Sequence, residues 1–341
     1  MKPHLLSFNR EELRNWVQEQ GLKPFIADQL LNWVYKRYVL DFEQMTNLAK
    51  PLRATLAEAL DTLVFTKVEK LVSKDGLAVK YIHTLTDNSY IEMVVLKEKS
   101  YNTLCISSQC GCPVDCKFCL TGVSGFKRNL EVQEIIGQLH RSFADGYPIS
   151  NIVFMGMGEP LLNYDNVFKA IEIITSPDGF GISKRKITVS TAGYLQGIKR
   201  LIKDQQFINL AFSVGNADPI KRAALMPIEN RNPLMEVVKT IKQYQDMHNR
   251  KLTLEYTLLE GKNDSDQDLK GLVGLSKYLN AKINLINLNP HSRIPFKPVS
   301  SAVLTAFKEK IHAMGAPVTI RFRKGQDISA ACGQLGESRL G

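Results

Sequence analysis

Hydrophobic and polar positions follow two periods along this chain, and the changes of period divide it into three regions. Over residues 1–62 the apolar residues recur at helical spacing, with a Gly/Pro break over residues 21–24 and a third helix expected over residues 51–61. Residues 63–101 follow a period of two around a turn signal at residues 86–89, which predicts a β-hairpin. The sequence therefore predicts an N-terminal helical domain and a β-hairpin extension.

From residue 102 to residue 341, short β-rich runs alternate with helical ones, which is typical of a parallel sheet covered by helices. The expected strands cover residues 103–107, 151–155, 186–191, 209–214, 252–258 and 283–288, and a run over 318–323 is a candidate seventh. The expected helices cover residues 132–143, 167–174, 195–202, 234–247, 266–279 and 303–314. Six such units predict an α/β fold, an open partial (β/α)6 barrel with its chemistry at the carboxyl ends of the strands.

The composition changes this picture mainly through its charge. Apolar residues make up 44% and charged residues 23% of the 341 residues, as in ordinary globular proteins. No apolar run is long enough for a membrane span, and the first residues lack a signal-peptide pattern, so we expect a cytoplasmic protein with no membrane partner. The net charge of +10 suits a polyanion such as RNA, although many basic proteins bind no nucleic acid. The helical domain is then either an RNA-contacting module or a packing cap on the barrel.

Five of the six cysteines lie between Cys105 and Cys119, and three of them, Cys112, Cys116 and Cys119, have the spacing CxxxCxxC. In a cytoplasmic chain, clustered thiols bind metal more often than they form disulfides. A 4Fe-4S cluster normally takes four cysteines, so three leave one iron open to another ligand. The alternative is a structural zinc site with Cys105 or Cys110 as fourth ligand, but the sequence has no second cysteine knuckle. The spacing therefore favours the iron–sulfur cluster.

A glycine-rich motif, Met-Gly-Met-Gly-Glu-Pro, follows the second expected barrel strand over residues 155–160. Its glycines let the backbone approach a ligand closely. The Glu159 carboxylate could accept hydrogen bonds from a ligand ammonium group. Taken alone, the motif is an ordinary glycine-rich turn, but it follows the cysteine loop by one strand.

Five ordered motifs together resemble the RlmN/Cfr family of radical S-adenosylmethionine RNA methyltransferases, which methylate a ring carbon of adenine. They cover residues 105–112, 116–122, 125–130, 155–160 and 330–335, the last reading Ala-Ala-Cys-Gly-Gln-Leu around Cys332. The resemblance extends from about residue 10 to residue 336. It implies a radical S-adenosylmethionine barrel, with a 4Fe-4S cluster on the three cysteines and S-adenosylmethionine on its open iron.

The resemblance also implies where S-adenosylmethionine is bound, at the carboxyl ends of several strands. The matching positions are Gly158, Glu159, Ser190, Ser213, Val214, Gly215 and Asn289. The family commonly has a histidine at the position of Gly215, so this chain lacks that side-chain contact. Asn216, one position later, is the candidate substitute.

A relay of two cysteines is implied by the same resemblance. Cys332 matches the cysteine that carries the methyl group as S-methylcysteine, and Cys105 matches the resolving cysteine that forms a transient disulfide with it. Glu92 matches the proton acceptor. From the residues alone, the alternatives are a buried packing thiol for Cys332 and a solvent-facing strand position for Glu92.

Basic residues near these motifs are expected to position RNA phosphates. They are Lys117, Lys127, Arg128, Lys184, Arg185, Lys186, Arg321 and Arg323. Two further pairs, Lys199 with Arg200 and Lys221 with Arg222, are instead expected on solvated helix faces.

The expected function is methylation of adenine carbon 2 in 23S rRNA, with tRNA as a second substrate class. Residues 125–129 and 179–185 favour this branch of the family, whereas Cys110 is closer to the carbon-8 branch. Two rivals stay open: a radical enzyme acting on a protein or small molecule, and a non-catalytic RNA-binding relative with impaired cofactor binding. The resemblance further implies an electron donor such as flavodoxin or ferredoxin, and a monomer is the simplest expectation.

Overall fold

The computed structural model describes residues 2–248, 252–321 and 324–336. Three helices form the N-terminal region: α1 (Arg10–Glu19), α2 (Phe25–Lys36) and α3 (Lys50–Ala59). Asn9 begins α1 with a capping box, since its side chain accepts a hydrogen bond from the Glu12 amide and the Glu12 carboxylate accepts one from the Asn9 amide. The Lys36 ammonium at the end of α2 donates to the carbonyls of residues 177 and 179, which fixes the helices to the barrel.

An antiparallel extension follows the helices. Its strands are β1 (Phe65–Val72), β2 (Ala78–Leu85) and β3 (Tyr90–Lys97). The predicted hairpin is confirmed as β2 and β3, but it is part of a larger unit: β1 pairs with β2, and β3 pairs with the first barrel strand, β4 (Asn102–Cys105). Most residues of β2 and the central residues of β3 are buried, so these strands lie inside a continuous sheet rather than on a separate hairpin.

Within the described residues the main sheet contains ten strands, and those from β4 onward run parallel. A short hairpin of β5 (Gln109–Gly111) and β6 (Phe126–Asn129) follows β4 and encloses the helical turn α4 (Leu120–Val123). The remaining barrel strands are β7 (Ile149–Phe154), β8 (Ile187–Thr191), β9 (Asn209–Ser213), β10 (Leu252–Leu258), β11 (Lys282–Asn287) and β12 (Val318–Ile320). The six predicted strands are therefore confirmed within a few residues, and the candidate seventh is present as β12.

Helices cover the outside of the parallel strands. They are α5 (Val132–Ala144), α6 (Tyr164–Thr175), α7 (Leu195–Lys203), α8 (Pro219–Leu225), α9 (Leu234–Asp246), α10 (Asp266–Tyr278) and α11 (Ser301–Ala313). The six predicted helices are confirmed, and α8 is an additional one in the loop after β9. The strand order runs from β1 to β12, and no pairing among the described residues joins these two edges. The predicted open α/β barrel is thus confirmed.

None of the helices within the described residues combines the length and the apolar character that crossing a membrane requires.

Candidate active site

A cavity of about 980 Å³ opens at the carboxyl ends of the parallel strands. Its walls come from separate strands and loops: Gly156, Gly158 and Glu159 after β7, Ser190 of β8, Ser213 of β9, Glu255 and Thr257 of β10, and Ile286 of β11. In a barrel of parallel strands this edge gathers side chains from many loops, which is why such folds place their chemistry there.

The cysteine loop forms one wall of this cavity, since Cys112, Cys116 and Cys119 all line it. Gly122 lies so close that an added Cβ atom would be 3.0 Å from the Cys116 backbone nitrogen and oxygen. Burial raises the pKa of the Cys112 and Cys116 thiols well above the usual value. Buried thiols of this kind ionise when a metal centre takes up the thiolate charge, so the loop fits a metal-binding role.

The donor set fits a cluster better than a single ion. Within the described residues, no three His, Cys, Asp or Glu side chains are grouped tightly enough to hold one metal ion. The two candidate fourth ligands of a zinc site do not line the cavity: Cys105 is buried at the end of β4, and Cys110 is buried in β5. Cys112 and Cys119 are both electrostatic neighbours of Cys116, and three neighbouring thiols on one wall suit an iron–sulfur cluster, whose irons bind separate cysteines.

The glycine-rich motif after β7 is shaped by close backbone contacts. Gly158 has φ +105°, and an added Cβ atom would lie 2.6 Å from the Cβ atom of Gln109. An added Cβ atom on Gly156 would lie 2.6 Å from the Ile106 carbonyl oxygen. Gln109, which the sequence analysis did not select, fixes the motif because its side-chain oxygen accepts a 2.8 Å hydrogen bond from the Glu159 amide.

Glu159 lines the cavity and is only 3% exposed. Its oxygens accept hydrogen bonds from the Ala192 amide at 2.7 Å and the Leu161 amide at 3.3 Å. Burial raises its pKa to about 7, although these hydrogen bonds oppose the shift. A ligand ammonium group would favour the ionised form, so the site suits an amino group.

The other positions expected to contact the cofactor fall into two groups. Ser190, Ser213 and Gly215 line the cavity with Gly158 and Glu159. Val214 and Asn289 are not among its lining residues. Val214 is fully buried and its carbonyl accepts a hydrogen bond from Arg222. The Asn289 side chain donates to the Cys332 carbonyl at 2.9 Å, so in this structure it holds the C-terminal segment.

Gly215 occupies the position where the family commonly has a histidine. It has φ +70°, and an added Cβ atom would lie 2.4 Å from the sulfur of Met226. The expectation that Asn216 replaces the histidine is wrong. The Asn216 side chain is fully buried, donates to Asp268 at 2.9 Å and accepts from the Asp218 amide at 2.8 Å, so it is committed to the loop that precedes α8.

The expectation that Arg222 lies on a solvated helix face is also wrong, because its side chain is fully buried. Its guanidinium donates to the carbonyls of Val214 and Ala192, which follow β9 and β8, and pairs with Glu229. Arg222 therefore ties together two loops of the cavity. Helical spacing could have predicted this burial, because Arg222 precedes the buried Leu225 by three positions and so lies on the same face of α8. The Arg200 expectation holds, because Arg200 pairs with Asp165 and Asp204 at the surface.

The structure brings Cys105 and Cys332 together although they are distant in sequence. Cys332 lines the main cavity and a second one of about 850 Å³ beside it, and it is half-buried. Burial and the neighbouring Cys332 thiol raise the pKa of Cys105 to about 12, while Arg321 opposes the shift. A simple packing thiol does not describe Cys332, which faces two cavities. All six cysteines are free in this structure.

The Cys332 segment is also bound to the cysteine loop. The Leu120 amide donates to the Gly333 carbonyl at 2.8 Å, and the Thr121 hydroxyl donates to the Leu335 carbonyl at 2.6 Å. The helical turn α4, which directly follows Cys119, therefore holds the segment against the cavity mouth.

Glu92 is buried, so the alternative of a solvent-facing glutamate is wrong. Its strand, β3, lies between β2 and β4 with both faces covered. The Glu92 carboxylate is 2.9 Å from the ammonium of Lys80, a buried residue that the sequence analysis did not select. Alternation alone could not reveal this pair, because a period of two does not tell which strands are covered on both faces.

From the sequence, all of these basic residues were expected near the active site. The structure places only some of them near the cavity. Arg321 lines both cavities, whereas Lys117 pairs with Asp115, and Lys127 and Arg128 pair with Asp87. Residues 184–186 are exposed directly before β8, so they lie at the amino ends of the strands, on the opposite edge from the site. Arg323 lies outside the described residues.

Comparison with known proteins identifies the family. Residues 3–61 match the ribosomal RNA large subunit methyltransferase N-terminal domain, and residues 106–273 match the radical SAM superfamily. The chain is 41% identical to a probable dual-specificity RNA methyltransferase RlmN of Aquifex aeolicus, over 98% of this chain and 97% of the relative. It is 38% identical to the dual-specificity RNA methyltransferase RlmN of Alkalilimnicola ehrlichii, over 97% and 93% of the two chains.

The chain belongs to the RlmN family. The crystal structure of a radical SAM methyltransferase from Sphaerobacter thermophilus is similar to the whole chain, with a TM-score of 0.94, 35% identity, and coverage of 98% of this chain and 99% of that one. The RlmN family member described here is therefore a radical S-adenosylmethionine methyltransferase that uses a 4Fe-4S cluster and S-adenosylmethionine.

Proposed function

We propose that this chain methylates carbon 2 of an adenine in 23S rRNA, with an adenine of tRNA as a second substrate. The relatives named above are dual-specificity RNA methyltransferases. The observation that carries the proposal is that buried Cys105 has Cys332 as a neighbour, and that Cys332 lines a cavity together with three further cysteines. A methyltransferase that used a simple sulfonium transfer would need no such pair of thiols.

The residues of the cavity would hold the cofactors in place. Cys112, Cys116 and Cys119 would bind the cluster, and the Glu159 carboxylate would accept hydrogen bonds from the amino group of S-adenosylmethionine. Ser190 and Ser213 line the space beside it. When bound, the cluster and S-adenosylmethionine supply the methyl group and the one-electron chemistry that activates it.

Cys332 would carry the methyl carbon as a thioether. The one-electron chemistry that the cluster and S-adenosylmethionine supply would break one C–H bond of that methyl group, the hydrogen atom leaving with the 5′-deoxyadenosyl group, so that the carbon can bond to adenine carbon 2. The surplus electron would return to the cluster. Glu92 would accept the proton that the ring carbon loses. The Cys105 sulfur then attacks the Cys332 sulfur. A disulfide forms, the electron pair of the carbon–sulfur bond stays with the carbon, and that carbon takes up a proton to complete the methyl group. Two electrons from a donor such as flavodoxin or ferredoxin would restore the two thiols before the next turnover.

RNA must reach the cavity with its target adenine unstacked from its neighbours. Arg321 is the basic residue best placed near the cavity for a phosphate contact. The helical region that matches the methyltransferase N-terminal domain is the proposed second RNA contact, since the chain carries a net charge of +10. A monomer in the cytoplasm completes the proposal.

The direct test is mass spectrometry of nucleosides from 23S rRNA and tRNA of cells with and without the gene. The proposal expects 2-methyladenosine to disappear from both RNAs in the deletion strain. Unchanged 2-methyladenosine would contradict it, and loss of 8-methyladenosine would assign the chain to the carbon-8 branch. Anaerobic reconstitution with iron, sulfide and S-adenosylmethionine supplies the second test, since a non-catalytic RNA-binding relative would produce no 5′-deoxyadenosine.

A further inference from the structure

A lysine and a glutamate are buried side by side in the antiparallel extension. Lys80 of β2 and Glu92 of β3 have side chains that are 2% and 1% exposed, and Nζ of Lys80 lies 2.9 Å from Oε2 of Glu92. Removing two charges from water is unfavourable, and two apolar side chains of similar size often stabilise a protein as well or better. Stability of the sheet therefore does not account for the choice of a lysine at this position.

The strand register places this pair on the same face of the sheet as Cys105. Lys80 lies opposite Val94, and Val94 lies opposite Cys105 on the next strand. Side chains of residues directly opposite each other point to the same face, and so do residues two apart on one strand. Lys80, Glu92 and Cys105 therefore share one face, which is the face where Cys105 meets Cys332.

The Lys80 ammonium has another partner, in the segment that carries Cys332. It donates a 3.1 Å hydrogen bond to the carbonyl of Ser329, three residues before Cys332. Ser329 has φ +50°, a left-handed conformation that is uncommon for a residue with a side chain. Such conformations persist where the surrounding structure holds them, and they are frequent at functional sites. One buried ammonium thus contacts both Glu92 and the C-terminal segment.

We propose that Lys80 is a positioning residue for methyl transfer, which anchors the Cys332 segment through the Ser329 carbonyl and holds the Glu92 carboxylate in place. This inference rests on the proposed function, in which Cys332 carries the methyl group and Glu92 accepts the ring proton. Lys80 is 2% exposed and is not among the lining residues of either cavity, so its role is to act through Glu92 and the Cys332 segment. It fixes the proton acceptor and the methyl carrier relative to each other, while Asn289 and α4 hold the far side of the segment.

Hydrogen exchange tests the anchoring without any catalysis. The informative pair is Glu92→Gln against Lys80→Met/Glu92→Gln, because the double variant replaces the ion pair by two neutral side chains and differs from the single variant only in the lysine. We expect amide exchange over residues 324–336 to be about tenfold faster in the double variant, as loss of a hydrogen bond from a charged donor predicts. Lys67→Met, on the exposed strand β1, should exchange like the wild type. Equal exchange in the two Glu92→Gln proteins would overturn the anchoring.

Methyl transfer tests the positioning role. We expect Lys80→Met to lower the rate of adenine methylation by about tenfold or more with an unchanged iron content, and Lys80→Arg to recover part of the rate because it keeps the cation. In Lys80→Met the covalent adduct between Cys332 and RNA should persist on denaturing gels, since loss of the ring proton is slowed. Wild-type rates in Lys80→Met, or slow methylation without the adduct, would overturn the proposal. If the wild-type chain formed no methyladenosine, the proposed function itself would fail, and hydrogen exchange would still decide the anchoring.

Discussion

The cysteine loop of residues 112–119 and Cys332 border the same cavity, and Cys105 is buried next to Cys332. The chain assembles the loop and the pair Cys105–Cys332 in different ways. The three loop cysteines are placed by local spacing after one strand. The pair is assembled from the end of β4 and a C-terminal segment that is held by Asn289, Lys80 and Thr121. The loop would therefore govern the cluster, while the pair governs the fate of the methyl group, and variants should separate the two.

The largest effect is expected in the loop. Cys116→Ser should lose the cluster, because a hydroxyl is a poorer ligand for iron than a thiolate and two cysteines do not complete the set. Both 5′-deoxyadenosine and methyladenosine should then disappear. Iron content and visible absorbance after anaerobic reconstitution measure the loss. A Cys116→Ser protein with the iron content of the wild type would contradict the assignment of the loop cysteines to the cluster.

The same comparison predicts the opposite pattern for the methyl carrier. Cys332→Ala should abolish methyladenosine, because no thiol is left to carry the methyl carbon, while the iron content stays at the wild-type level. Reconstitution followed by nucleoside mass spectrometry measures both quantities on one sample. Loss of the cluster absorbance in Cys332→Ala would show that the C-terminal segment is part of the cluster site.

Cys105→Ala separates the two members of the pair from each other. The methyl carbon should reach the adenine but stay bonded to Cys332, since no second thiol attacks the sulfur. A covalent RNA–protein complex is then expected on denaturing gels, and the double variant Cys105→Ala/Cys332→Ala is its matched control. Release of free methyladenosine at the wild-type rate would exclude Cys105 as the resolving thiol.

A smaller effect is expected at Glu159, within the cavity between loop and pair. Burial raises its pKa to about 7, and an ammonium ligand binds the ionised carboxylate. Affinity for S-adenosylmethionine should therefore fall toward about tenfold per pH unit as the pH drops below 7, because the carboxyl group must first release a proton. Glu159→Gln should bind more weakly and lose this dependence. Isothermal titration of the reconstituted protein measures both, and an equally steep pH dependence in Glu159→Gln would contradict the assignment.

The smallest effect concerns the histidine that this chain lacks. Gly215→His should destabilise the fold by about 1–3 kcal/mol, because the new side chain must displace the sulfur of Met226, 2.4 Å from the Cβ position. Gly215→Ala is the control, because its Cβ atom already meets Met226 and has the cost of the positive φ, about 1 kcal/mol or more, so that the difference between the two variants reports the imidazole ring. Thermal unfolding measures both. Equal melting temperatures for Gly215→His and the wild type would show that the Met226 contact does not exclude the family histidine.

The sequence predicts the cysteine loop and the barrel well for the same reason. β10 is largely buried, as the strands of a covered parallel sheet are, and local spacing alone defines the thiol triplet. The meeting of Cys105 and Cys332 follows from family resemblance, because no local pattern links residues so distant along the chain.

The sequence did not predict which charged side chains are buried by tertiary contacts. Lys80 and Glu92 have the spacing of exposed strand residues, yet both side chains are buried, and the segment that contains Ser329 lies against Lys80. Arg222 looks like a surface residue until α8 packs against the loops after β8 and β9. Whether a charged side chain is exposed to water depends on which other elements pack against the helix or strand that carries it. The local sequence pattern does not contain that information.

The central claim, that Cys332 carries the methyl group that reaches the RNA, has one direct measurement. The protein is first methylated with S-adenosylmethionine that bears a deuterated methyl group, then freed of it and given unlabelled S-adenosylmethionine and RNA for a single turnover. The account predicts deuterium in the methyl group of the adenosine product and its loss from the peptide that contains Cys332. Unlabelled methyladenosine from protein whose Cys332 peptide keeps its deuterium would contradict it.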